Sequence, residues 1–231
     1  MRNLEKIVET QIRLWSSRAA AESERAPKRR DFWPNITISR EFGSRGAALG
    51  RLLAERIGFS FWDKELVSAI ADESGANRAI IESLDETRRN AIEDAVQGVL
   101  MGTRHTTEDY VFNLVRLIRT IGEHGRAVIV GRGGHYVLPP ADALRVRFVQ
   151  LFDDRAGAYA AREGLDERKA RAYVDQQEKE RSSFVKKVFR RELANPLDYD
   201  IVLNLSTIGE RSAIELVTRA YELRFARVLP H

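Results

Sequence analysis

The 231-residue chain contains no cysteine. Disulfides, thiolate zinc sites and cysteine nucleophiles are therefore excluded. The composition is compatible with a reducing compartment, so a cytoplasmic location is expected. No apolar run approaches the roughly 18 residues that cross a bilayer, so no membrane span is expected. The opening MRNLEKIVETQIRLW alternates charged and apolar residues and does not read as a secretory signal. Four scattered histidines offer no metal-ligand pair at helical spacing, and no metal site is assigned. The net charge is only +4, from 38 basic and 34 acidic residues that interleave. That is a small excess for a nucleic-acid binder, and no nucleic-acid partner is expected.

Hydrophobic residues make up 43% of the chain, enough for a full core at this length. Residues 3–20 carry apolar side chains at roughly helical spacing, including Leu4, Ile7, Val8, Ile12 and Trp15. A polar stretch, 21–34, reads as a linker, so residues 1–34 form an N-terminal extension and 35–231 the main domain. The apolar stripe of the first helix is expected to pack on its own domain or to support a homo-oligomer. Strands are expected at 35–39, 59–62, 127–130, 146–152 and 200–205. Helical patterns fill 46–57, most of 63–125 (with breaks near Gly75, Gly98–Gly102 and Gly122), 154–193 and 210–228. Strands separated by helices predict a parallel sheet covered on both faces.

The first strand leads through Arg40-Glu41-Phe42-Gly43-Ser44-Arg45-Gly46-Ala47-Ala48-Leu49-Gly50-Arg51 into a helix. A strand, a glycine-bearing loop and a helix form an anion site, because the first-turn amides lack intrahelical partners and the helix dipole favours negative charge. Glycines let the backbone approach phosphate closely. The phosphate-loop pattern GxxxxGK[ST] is incomplete. Counted from Gly43, the lysine position falls on Leu49; counted back from Gly50, the first glycine falls on Arg45. Arg40, Arg45 or Arg51 could supply the missing charge, and Arg45 is favoured because it lies within the loop.

The segments ISREFGSRGAALGRLLAERIG, FWDKELV, VIVGRGGHYVL, EKERSSFVKKVF and DYDIVLNLS together resemble the cytidylate-kinase-like family of P-loop nucleoside monophosphate kinases. The resemblance spans about residues 35–225. It implies a P-loop three-layer α/β sandwich with a parallel five-stranded sheet, a helical acceptor-side insertion and a helical lid. It also implies transfer of the γ-phosphoryl of ATP, with Mg²⁺, to a nucleoside monophosphate, CMP or dCMP first. On this resemblance Gly43, Ser44, Arg45, Gly46, Gly50 and Arg51 cradle the ATP phosphates. Asp63 and Arg132 meet the acceptor, and Arg45, Arg132 and Arg181 stabilise the transferring charge. Gly133 replaces the aspartate of the family's GRD-type segment, which leaves the acceptor's identity open. The stretch 181–195, with Arg181, Lys186, Lys187, Arg190 and Arg191, is the expected mobile lid.

Plainer readings stand beside these. Asp63 also reads as a helix cap. Arg155 reads as an exposed helix-start residue. His105, His124 and His135 receive no role. A nucleotide-binding module without turnover is the alternative function, because the loop lysine is missing.

Overall fold

The computed structural model of the chain describes residues 2–23, 32–100 and 108–229. Most of the expected linker, part of the break expected at 98–102, and His105 lie outside them. Strands β1 (Asn35–Arg40), β2 (Ser60–Trp62), β3 (Ala127–Val130), β4 (Ala143–Val149) and β5 (Ile201–Asn204) form one parallel sheet in the order β2-β3-β1-β4-β5. The helices are α1 (Arg2–Ser23), α2 (Gly46–Ile57), α3 (Lys64–Asp72), α4 (Ser74–Glu82), α5 (Glu86–Leu100), α6 (Glu108–His124), α7 (Gly134–Val137), α8 (Phe152–Glu163), α9 (Glu167–Phe189), α10 (Leu205–Ile208) and α11 (Glu210–Phe225).

Strand alternation builds the three layers. On β3, Val128 and Val130 face α2 and α11 with Ile36, Ile38, Leu53, Val146 and Tyr221. Ala127 and Ile129 face the opposite layer, with Val67, Ile70, Leu117, Ile118 and Val137. Period-two alternation along a strand buried on both sides requires this split. Buried Asn35 ties the strand starts together, donating to the carbonyls of Gly122 (3.0 Å) and Asp142 (3.1 Å) and accepting from the Ala127 amide (3.2 Å).

Gly50 is needed for close packing, since a Cβ there would meet Val130 Cγ2 at 2.8 Å. Helix α2 ends at Gly58, whose φ of 69° suits a residue without a Cβ. The fourth strand begins earlier than expected, because Asn35 to Arg40 pair in register with Ala143 to Phe148. It also stops sooner. The Gln150 amide donates to the Glu41 carboxylate (2.8 Å) and the Leu151 amide to Ser206 Oγ (3.0 Å), and Phe152 already belongs to α8. The charged stretch 154–193 is two helices, broken where Gly164 closes α8 and Asp166 caps α9. The break expected near Gly75 falls at Glu73, between α3 and α4, whereas Gly122 lies inside α6, which runs on to His124.

Helix α1 packs against α3 and α4 of its own chain. Val8 and Trp15 are buried there, and the Trp15 ring stacks on His124 with centroids 3.7 Å apart. No helix among the described residues is long and apolar enough to cross a membrane.

Candidate active site

A cavity of about 120 Å³ opens at the C-terminal ends of β1 and β3. Such edges are where open α/β sheets bind ligands. Ser39 and Arg40 come from β1, Lys64 from the start of α3, Gly131 to Gly133 and His135 from the turn after β3, and Arg181 and Phe184 from α9. The turn after β3 is sharp: Gly131, Arg132 and Gly133 have φ of 87°, 49° and 70°. A left-handed conformation is costly for arginine, and its persistence here is the kind of strain that collects at functional sites. A side chain on Gly131 would collide with the Arg40 guanidinium.

Arg40, Lys64, Arg132 and Arg181 dominate the charged lining of the cavity, which also includes Glu180. Arg40 is buried and makes no ion pair or side-chain hydrogen bond among the described residues. Burial, then Arg181 and Arg132, pull its pKa down to about 9 against the weaker pull of Glu65 and Asp63, so it stays charged at neutral pH. Arg181 Nη1 donates to the Arg40 carbonyl at 2.9 Å. Its pKa is lowered by burial and by Arg155 and Arg132, against Glu178 and Glu65. Lys64 is lowered by burial, then by Arg132, Arg181 and Arg40, against Glu65. Arg132 Nε donates to Ser68 Oγ at 2.7 Å, and its guanidinium lies over the Phe184 ring. Four cations held around one space repel one another, and a polyanion relieves that repulsion.

The loop between β1 and α2 is braced from outside. The Phe42 amide donates to Glu178 Oε2 at 2.7 Å, and Arg155 donates to the Phe42 carbonyl at 3.0 Å. Arg155 is therefore not the exposed helix-start residue its position implies. It is buried and lies within 3.5 Å of both the Glu41 and Glu178 carboxylates. Gly43 packs on the Arg155 backbone, and Ser44 Oγ donates to the Glu41 carbonyl at 2.8 Å. Arg45 is the N-cap of α2 and offers no side-chain cap, which leaves the first-turn amides to other partners.

The sequence-derived candidates separate in space. Arg132 and Arg181 line the cavity. Arg45 is exposed and pairs with Glu210 at 2.8 Å, away from the cavity. Arg51 lies over Phe61 and reaches Asp63 at 3.5 Å. Asp63 caps α3, accepting from the Leu66 amide at 2.8 Å. Leu49 is 1% exposed and faces the core, so it is no phosphate-facing position. The helix start supplies the missing register. With β1 ending at Arg40 and α2 opening at Gly46, the strand–GxxxxGK[ST]–helix pattern runs from Arg40, its glycines at Arg40 and Arg45, its lysine at Gly46 and its hydroxyl at Ala47. Lys64, His135, Glu178 and Phe184 lie within the segments that carry the resemblance but receive no role from the sequence, because only α3, α7 and α9 bring them together across more than a hundred residues.

The sequence matches the cytidylate kinase-like family over residues 35–207. The chain belongs to that family. The match covers β1 through most of α10, and with them the whole cavity lining. An uncharacterized protein from Eubacterium ventriosum has a similar structure, with a TM-score of 0.66 at 21% identity, covering 82% of this chain and 98% of that one. A shikimate kinase from Bacteroides thetaiotaomicron is also similar, with a TM-score of 0.44 at 12% identity and the same coverage. No curated protein matches the sequence. Family and fold together support a nucleotide kinase-like role.

Proposed function

We propose that the chain is a phosphotransferase that moves the γ-phosphoryl of ATP to a phosphorylated acceptor, CMP or dCMP before other nucleoside monophosphates. The carrying observation is the Arg40, Lys64, Arg132 and Arg181 cluster, in which Arg40 is buried and makes no ion pair among the described residues. Phosphoryl transfer depends on positioning and on stabilising charge spread over the migrating group, and these four cations supply both. Phosphate fits the site: Gly46 and Gly131 hold the backbone close to the Arg40 side chain, and the amides of the first turn of α2 carry no capping side chain. In this reading Arg40 takes the work expected of Arg45, which Glu210 occupies.

A resident Mg²⁺ site fits less well. Ala47 stands where the pattern needs a hydroxyl, and the described residues hold no group of three or more metal-ligating side chains. No protein ligand is assigned to the ion, and no step of this reading is routed through it.

The test is transfer of label from γ-labelled ATP to CMP, dCMP, UMP or AMP, against a control without acceptor. Label on CMP or dCMP at rates above the control supports the reading. Binding of ATP with no transfer to any acceptor sinks it and favours a nucleotide-binding module, which Gly46 and Ala47 at the lysine and hydroxyl positions would then explain.

A further inference from the structure

Two buried histidines of this chain differ in how their rings are satisfied. His124 is a core histidine: its Nε2 lies 2.9 Å from Ser83 Oγ, and its ring is stacked on Trp15. His135 is 6% exposed and packs against Tyr136 and Tyr199, yet its Nε2 is buried with no hydrogen-bond partner. An unpaired buried polar atom costs about 1–3 kcal/mol, so such atoms are uncommon without a purpose. His135 lines the cavity. A second atom in the same state, Arg181 Nε, belongs to another lining residue.

The two vacant atoms set the chemistry of what fills them. Arg181 Nε can only donate. Burial, then Arg147 and Arg145, hold the His135 pKa down at about 3, so the ring is neutral at working pH and can carry its proton on Nε2. The nearby Ser39 hydroxyl is already engaged: it accepts from Arg147 (3.1 Å) and donates to the Tyr199 hydroxyl (3.2 Å), whose own proton goes to the Leu193 carbonyl (2.8 Å). With its proton on Nε2, His135 joins Arg181 Nε as a donor without an acceptor, and two such donors beside Arg40 and Arg132 suit an oxyanion.

We propose that His135 is a ligand-contacting residue of this cavity, its Nε2–H donating to an oxygen of the bound phosphoryl group alongside Arg181 Nε–H. This rests on the proposed reading of the cavity as a phosphoryl-binding site. It adds a neutral donor to a cationic cluster, and it places that donor on α7, just after the β3 turn, rather than on the loop or α9.

The test is calorimetric titration of CMP and of inorganic phosphate into the full chain. It uses wild type, Arg40→Ala, His135→Ala and His135→Gln, whose amide nitrogen can take the place of Nε2. Loss of one such bond weakens binding about tenfold. His135→Ala should lose about that for both probes, and His135→Gln should recover most of it. In wild type, the ¹⁵N and proton signals of the His135 ring should shift when phosphate is added, a readout that holds even where the alanine variant fails to fold. Tight binding lost in Arg40→Ala but unchanged in His135→Ala, with no ring shift, overturns the assignment while leaving the cavity reading intact. A loss for CMP but not for phosphate overturns the phosphoryl contact. Absence of binding by wild type overturns the cavity reading itself, and this inference with it.

Discussion

The Arg181 guanidinium donates to the backbone carbonyl of Arg40 at 2.9 Å, so helix α9 grips the end of the first strand by the same residue that lends charge to the cavity. Three residues earlier, Glu178 takes the Phe42 amide at 2.7 Å. Loop and helix are thus joined at two points one helical turn apart.

Loosening that joint has a local signature. Glu178→Ala removes the acceptor of the Phe42 amide and one of the two carboxylates near Arg155. Stability should fall by about 1–3 kcal/mol. Hydrogen exchange at the Phe42 amide should quicken far more than at the Leu66 amide, which Asp63 caps independently. Equal change at both sites would show that Glu178 does not brace the loop.

Leu49 offers a test of register. Placing a lysine there to restore the phosphate-loop pattern would put an ammonium among Leu53, Val130 and Phe148. Leu49→Lys should cost about 2–5 kcal/mol and bring no gain in ATP affinity. Tighter ATP binding by a stable Leu49→Lys protein would restore the register counted from Gly43.

Acid should weaken the fold before the carboxylates titrate. Burial, then Arg88, lower the His124 pKa from 6.5 to about 3, and burial with Arg147 and Arg145 does the same to His135. The folded pKa values lie below the unfolded ones, so this stability is fully present above about pH 6.5 and is lost as pH falls toward 3. The limiting slope is about 1.4 kcal/mol per pH unit for each histidine. Denaturant unfolding between pH 6.5 and 5 should show it, and His124→Gln should flatten the slope. A wild-type stability independent of pH across that window would contradict the burial of both rings.

Much of the architecture is legible locally. Gly46–Ile57 and Ala127–Val130 carry their own period and their own stops, and the structure keeps those bounds. The break at Gly164 had local marks, a C-terminal glycine in the left-handed conformation and the Asp166 cap, inside a charged stretch that reads as one helix. Elsewhere, where the reading slipped, a distant partner decided. The start of β4 is set by pairing with Asn35. The choice among Arg40, Arg45 and Arg51 was open for the same reason. Nothing near Arg45 announces Glu210, and nothing near Arg40 announces Gly131, whose missing side chain makes room for its guanidinium.

The choice between Arg40 and Arg45 is also the most direct test of the account. Acceptor-dependent ADP release should be measured with CMP and dCMP for wild type, Arg40→Ala and Arg45→Ala, each checked for an intact thermal transition. Removing one preorganised charge donor costs on the order of 10²–10³ in rate. Arg40→Ala should lose that much, while Arg45→Ala, an exposed partner of Glu210, should stay within about threefold of wild type. A folded Arg40→Ala enzyme with wild-type turnover, or a loss confined to Arg45→Ala, would contradict the account.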